Sequence, residues 1–88
     1  MYVNVIYVGD IKLLDHPFVL KDDIIIPVGW YLLDNNLQDR PQVIYKNNNP
    51  IIIIEHVQIN HNLNGNNYNL SIIKTDKKLK LNDILEIK

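Results

Sequence analysis

The side chains that could bind a metal ion are few and scattered in this sequence. It has three histidines, His16, His56 and His61, and no cysteine. His56 and His61 are separated by an odd number of positions, so on one strand they project to opposite faces and do not chelate the same ion. Because no carboxylate lies at a ligand spacing, we expect no metal site.

Hydroxyl nucleophiles and paired carboxylates are equally poor candidates. The single serine is Ser71, which falls within a predicted strand rather than at a nucleophile elbow. Asp22 and Asp23 are adjacent, and neighbours on an extended segment point apart. There is no glycine-rich phosphate loop or other cofactor motif. We therefore expect a protein that binds without catalysis and needs no cofactor.

Net charge and composition limit the classes of binding partner, the source and the cellular compartment that we expect. The net charge is −1, which argues against a dedicated nucleic-acid-binding protein. The chain has no basic leader and no long apolar run, so neither secretion nor a membrane partner is expected. Heavy use of Ile, Asn, Lys and Tyr indicates an AT-rich genome, as in a phage, a virus or a low-GC bacterium. We expect a cytoplasmic protein, in the host cell if it is viral.

Composition also predicts the fold class. Alanine is absent while isoleucine, valine, tyrosine and asparagine are abundant, which favours strands over helices. The prediction is a single all-β domain over residues 1–88, a small barrel or sandwich of six or seven short antiparallel strands with at most one short helical turn. A core this small gives modest stability, so a homo-oligomer is expected.

Turn residues divide the chain into apolar runs. Strands are predicted at 2–8, 11–14, 18–20, 24–33, 43–46 and in a long hairpin over about 52–75. The run 24–33 is interrupted by Pro27 and Gly29, and because proline cannot donate to a ladder, this strand is predicted to be an edge or to contain a bulge. Residues 34–42 form the main loop, and 47–50 form an asparagine-rich turn.

The hairpin prediction rests on Asn64-Gly65, the preferred pair for a two-residue type I′ turn. Each residue before this turn then opposes the residue equally far after it. On one face apolar residues oppose apolar residues and an acid opposes a base: Val57 with Ile72, Ile59 with Leu70, His61 with Tyr68, and Glu55 with Lys74. The other face is polar: Gln58 with Ser71, Asn60 with Asn69, and Asn62 with Asn67.

Two interpretations of the polar face stay open. It is either a solvated face whose asparagines reflect codon bias, or a surface of amide donors and acceptors that binds a polar ligand, a peptide backbone or nucleotide bases. The second interpretation makes the following residues candidates for ligand or partner binding: Asn60, Asn62, Tyr68, Asn69 and Lys74.

The segment containing Trp30 and Tyr31 is the other candidate site. On a predicted edge strand, adjacent residues face opposite ways, so one ring is expected in the core and the other exposed. An exposed aromatic beside an unpaired edge would suit a protein interface. The run Ile51–Ile54 predicts that both faces of its strand are covered, by a second sheet, by barrel closure or by a partner subunit.

Three functional classes follow. The first is a non-enzymatic binding or inhibitor protein that occludes a partner protein, such as a phage or viral accessory protein that counters host defence. The second is an oligomer that sequesters a polar metabolite or nucleotide. The third is a single-stranded nucleic-acid module of OB or SH3-like type, with Tyr7, Tyr45 and Tyr68 as stacking platforms; the near-zero net charge counts against it.

Overall fold

A computed structural model describes residues 1–88, with the side chain of Leu63 excepted. It confirms the all-β prediction. The described backbone contains eight strands and no helix: β1 (Tyr2–Val8), β2 (Phe18–Leu20), β3 (Asp23–Ile25), β4 (Trp30–Leu33), β5 (Val43–Lys46), β6 (Asn49–Leu63), β7 (Asn66–Thr75) and β8 (Ile84–Glu86). Accordingly, no helix of the length and hydropathy needed to span a membrane is found in the described residues.

Six of the strands close into an antiparallel barrel in the order β1-β4-β7-β6-β5-β8, and β8 pairs with β1 to complete it. The remaining two, β2 and β3, form a separate two-stranded hairpin. Closure removes the sheet edges that an open sheet of this size would expose, except where a strand runs beyond its neighbours. That exception applies to β6 and β7, the longest strands.

Two hydrophobic clusters lie on either side of the β4–β7 sheet. The main cluster fills the barrel and includes Val5, Leu33, Ile44 and Ile73. The second lies outside the barrel, where Trp30 and Ile72 pack with β3 and with the outer face of the long hairpin. Because the two clusters cover both faces of β4, all four of its residues are buried.

Several strand predictions are confirmed and two are wrong. The bounds of β1, β2 and β5 are as predicted. Residues 11–14 are not a strand, since Ile11 makes only an isolated bridge to Pro27. The run 24–33 is two strands in two sheets, because Pro27 and Gly29, which has φ +91°, turn the chain between β3 and β4.

The isoleucine run also differs from its prediction. Ile51 and Ile53 are buried in the barrel, whereas Ile52 and Ile54 are 53% exposed. The strand bends here: Ile53 pairs with Thr75 and Glu55 with Lys74, so Ile54 is the extra residue of a β-bulge. Within the single chain, barrel closure covers one face of this run and leaves the face of Ile52 and Ile54 exposed. Cover of that second face by a partner subunit stays a prediction.

Candidate functional site

Trp30 and Tyr31 are both core residues, with exposed fractions of 1% and 3%. β4 is not an edge strand, because β1 pairs with it on one side and β7 on the other. Tyr31 points into the barrel, and its hydroxyl accepts the Leu79 N–H at 3.0 Å. Trp30 points outward under the ring of His16, 5.5 Å away between centroids. The expected exposure of one ring is therefore wrong, and neither ring is available as an interface anchor.

The long hairpin has the predicted register. Asn64 and Gly65 have φ values of +54° and +83°, as a type I′ turn requires. Asn60 pairs with Asn69, Asn62 with Asn67, and His61 with Tyr68. The predicted pairing of Glu55 with Lys74 is also present, immediately after the bulge. Lys74 also pairs with Trp30 and lies at the base of the hairpin, apart from the asparagines.

The end of this hairpin projects beyond the barrel. We call residues 58–70 the distal hairpin. Pairing of β4 with β7 ends at Leu32 and Ile72, and pairing of β5 with β6 ends at Val43 and Ile52. Among the described residues, the backbone of the distal hairpin forms no hydrogen bond to a third strand. Both of its outer edges are therefore unpaired.

The turn geometry determines which backbone groups face these edges. In a two-residue hairpin the residues flanking the turn bond to each other, and the bonding direction alternates along each strand. Asn60, Asn62, Asn67 and Asn69 consequently direct their N–H and C=O groups outward, away from the ladder. Each edge thus offers a row of free donors and acceptors to an incoming strand.

The asparagine side chains add to this capacity. Asn60, Asn62, Asn67 and Asn69 share one face of the ribbon and are exposed. Within the part of the chain that the structure describes, their amides have no hydrogen-bond partner, unlike the amide of Gln58 nearer the barrel. The opposite face is partly covered by β3, and there Tyr68 stays 45% exposed.

The usual protections of a free edge are missing. Natural proteins discourage edge pairing with charged residues, proline or a bulge. No charged residue and no proline occurs between Glu55 and Lys74, and the bulge at Ile54 lies before the distal hairpin. An exposed, uncharged ribbon with two open edges is a template for strand addition.

A buried polar cluster fastens the base of the distal hairpin, and the sequence analysis missed it. Ser71 is completely buried, and its Oγ accepts the Leu37 N–H at 2.8 Å. Nε2 of His56 lies 2.8 Å from the same oxygen. Gln58 Nε2 donates to Asn36 Oδ1 at 2.8 Å. The pairing of Gln58 with Ser71 already placed these residues on one face, but nothing in the sequence showed that loop 34–42 covers them.

His56 and Ser71 have the separation of a base and a nucleophile, but their surroundings differ from those of a catalytic pair. The Ser71 hydroxyl has no exposed surface and is already engaged by Leu37. Burial lowers the pKa of His56, and the positive charge of Arg40 lowers it further. Its Nδ1 is buried without a partner among the described atoms. The pair therefore serves to attach loop 34–42 to the hairpin.

The three histidines are not brought together. His56 faces the loop cluster, His61 lies across from Tyr68 on the other face, and His16 contacts Trp30. Within the described residues, no group of three or more His, Cys, Asp or Glu side chains is positioned to hold a metal ion.

Comparison of this chain with protein-family models, with curated proteins and with solved structures finds no match. The class of protein is therefore defined by its own geometry, a small closed β-barrel with a projecting, open-edged hairpin.

Proposed function

We propose that this protein is a non-enzymatic binding protein that occludes a partner protein. An extended segment of the partner would bind as an added strand along one edge of the distal hairpin. The observation that carries the proposal is the pair of unpaired edges on residues 58–70, whose outward backbone groups belong to four exposed asparagines. An extended peptide placed there would continue the ladder, as in other β-augmentation complexes.

The chemistry of the hairpin supports a protein segment as the ligand. Backbone hydrogen bonds supply affinity without requiring a particular partner sequence, and the asparagine amides can both donate and accept along the same face. The buried Ser71 cluster fastens the base of the ribbon to loop 34–42. The amino-acid usage, which indicates an AT-rich genome, fits an accessory protein of a phage or virus that blocks a host protein.

The proposal is tested with a displayed library of random linear peptides panned against the full chain. Enriched peptides are titrated against wild type and against Asn69→Pro and Asn60→Pro, which remove one outward N–H from β7 or β6 and leave the hairpin ladder intact. Asn69→Thr and Asn60→Thr are the matched controls, because they keep the backbone N–H and remove the side-chain amide.

We expect one proline variant to weaken binding by about tenfold or more, since an added strand loses at least one hydrogen bond and meets the proline ring. Its threonine counterpart should weaken binding by no more than about threefold. Unchanged affinity in both proline variants, with thermal unfolding like that of wild type, would refute strand addition at these edges.

A further inference from the structure

A second candidate site lies at the opposite end of β6 from the distal hairpin. A cleft of about 330 Å³ opens between the β5–β6 turn and the segment that follows β7. Its walls are formed by Lys46, Asn47, Asn49, Lys77 and Lys78, with Ile51 at its base. Three lysines thus face one small cleft in a protein whose net charge is −1.

The local fold holds this cleft in shape. Asn47 and Asn48 have φ values of +50° and +66°, which form a second tight turn between β5 and β6. On the other side, the Thr75 hydroxyl donates to the Lys77 carbonyl at 2.6 Å. Asp76 joins the two sides, because its carboxylate accepts the Ile52 N–H at 2.9 Å.

The lysines differ in how far their charge is compensated. Lys46 forms an ion pair with Asp83 at 3.0 Å. Lys77 donates to the Pro50 carbonyl at 2.9 Å, a neutral partner that leaves its charge uncompensated. Lys78 has no hydrogen-bond or ion-pair partner among the described residues. With Asp76 and Asp83 both counted, the cleft keeps an excess of positive charge suited to a compact anion.

An aromatic surface adjoins the cleft. A neighbouring depression is lined by Tyr2, Tyr45 and Ile84 and shares Asn47 with the lysine cleft. Tyr2 is 68% exposed, and Ile84 beside it is 60% exposed. The Tyr45 ring is already covered by the Lys88 ammonium at 4.5 Å from its centroid, which leaves Tyr2 as the accessible stacking surface.

We propose that this composite surface binds a mononucleotide, with its phosphates between Lys46, Lys77 and Lys78 and its base against Tyr2. The site goes beyond the protein-binding role of the distal hairpin and uses none of its residues. A single nucleotide is favoured over a nucleic-acid strand because Asp76 and Asp83 flank the lysine cleft and Glu86 lines the neighbouring Tyr2 depression. A longer phosphate backbone would meet their negative charge.

The test uses the full chain, ATP, inorganic triphosphate and a single-stranded oligonucleotide as probes, and amide chemical shifts to locate binding. Lys78→Gln is the main variant because this side chain makes no described contact that the fold needs. Lys12→Gln, an equal change of charge on a lysine outside the cleft, is its control. Tyr2→Ala separates the contribution of the base from that of the phosphates.

We expect ATP to shift the amides of residues 46–49 and 76–78, and Lys78→Gln to weaken its binding by about tenfold while Lys12→Gln leaves it unchanged. Tyr2→Ala should weaken the binding of ATP but not the binding of inorganic triphosphate. Equal affinity for ATP and inorganic triphosphate, equal effects of the two lysine variants, tighter binding of the oligonucleotide than of ATP, or no shifts at these amides would overturn the proposal.

Discussion

At the residue scale, the Ser71 hydroxyl joins three parts of the chain. It lies on β7, accepts the Leu37 N–H of loop 34–42 and contacts the His56 ring on β6. Because the Ser71 oxygen is completely buried, water cannot replace it as a hydrogen-bond partner of Leu37 and His56 once the hydroxyl is removed. The cost of such a loss is the desolvation of the groups left behind.

We therefore expect Ser71→Ala to lower the free energy of unfolding by about 1–3 kcal/mol, measured by urea denaturation. Asn69→Ala is the matched control on the same face of β7, since its exposed amide has no described partner, and it should change stability by less than about 0.5 kcal/mol. Equal effects of the two substitutions would show that the buried hydroxyl does not stabilise the fold.

His56 gives the same cluster a pH dependence. Its pKa is lowered by burial and by Arg40, from the ordinary value of 6.5. Above that value the ring is neutral in both the folded and unfolded chains, and stability is unaffected. As the pH falls below 6.5 the unfolded chain takes up the proton first, so stability declines until the pH passes the folded pKa.

The free energy of unfolding should accordingly be constant above about pH 6.5 and decrease as the pH falls below it, as measured by urea denaturation at each pH. His56→Gln, which does not titrate, should flatten the decrease over this range. If the variant shows the same slope as wild type, His56 is not the group responsible.

At the element scale, the hairpin was the part most fully predictable from the sequence. Asn64-Gly65 specifies the turn, the turn specifies the register, and the alternation of apolar and polar residues makes any other register unfavourable. These are local constraints between residues close in sequence. The whole set of pairs from Glu55 with Lys74 to Asn62 with Asn67 follows from them and is present in the structure.

Predictions that depended on strand neighbours were less successful. Pro27 predicts an edge strand, but it lies in the connection between β3 and β4, and Trp30 begins a separate strand with neighbours on both sides. The cluster of Ser71, His56 and Asn36 was missed for the same reason, because the path of loop 34–42 is set by packing between distant residues. Neither the neighbours of β4 nor the loop position is encoded in a local pattern.

The distal hairpin should be separable from the barrel. A variant that lacks residues 60–63 and 66–69 keeps Asn64-Gly65 and joins it to the paired residues Ile59 and Leu70. We expect its free energy of unfolding to change by no more than about 1–2 kcal/mol, because most of the deleted side chains are exposed. It should lose binding to the selected peptides entirely.

Thermal and urea unfolding of this shortened chain measure the first expectation, and titration with the peptides measures the second. Retained peptide affinity in a folded, shortened chain would mean that binding occurs elsewhere. Failure of the shortened chain to fold would instead show that the barrel depends on the deleted residues.

At the scale of the whole molecule, the expected homo-oligomer stays a prediction, and the open edges give it a location. Two copies can pair edge to edge through the uncharged distal hairpins. We expect concentration-dependent dimers in sedimentation velocity, absent in the shortened chain and in Asn69→Lys combined with Asn60→Lys. A monomer at all concentrations, or dimers that survive the lysine substitutions, would contradict this mode of association.

The most direct test of strand addition is amide hydrogen exchange, residue by residue, in the full chain with and without a selected peptide. Without peptide, and at concentrations below those at which dimers form, the outward amides of Asn67 and Asn69 on β7, and of Asn60 and Asn62 on β6, should exchange quickly. Those of Tyr68 and Leu70 are protected by the hairpin ladder.

With peptide bound, the outward amides of one edge should become protected, in the alternating pattern that a new neighbouring strand produces. Protection confined to residues outside 58–70, or no change at either set of asparagine amides under saturating peptide, would contradict the proposed function.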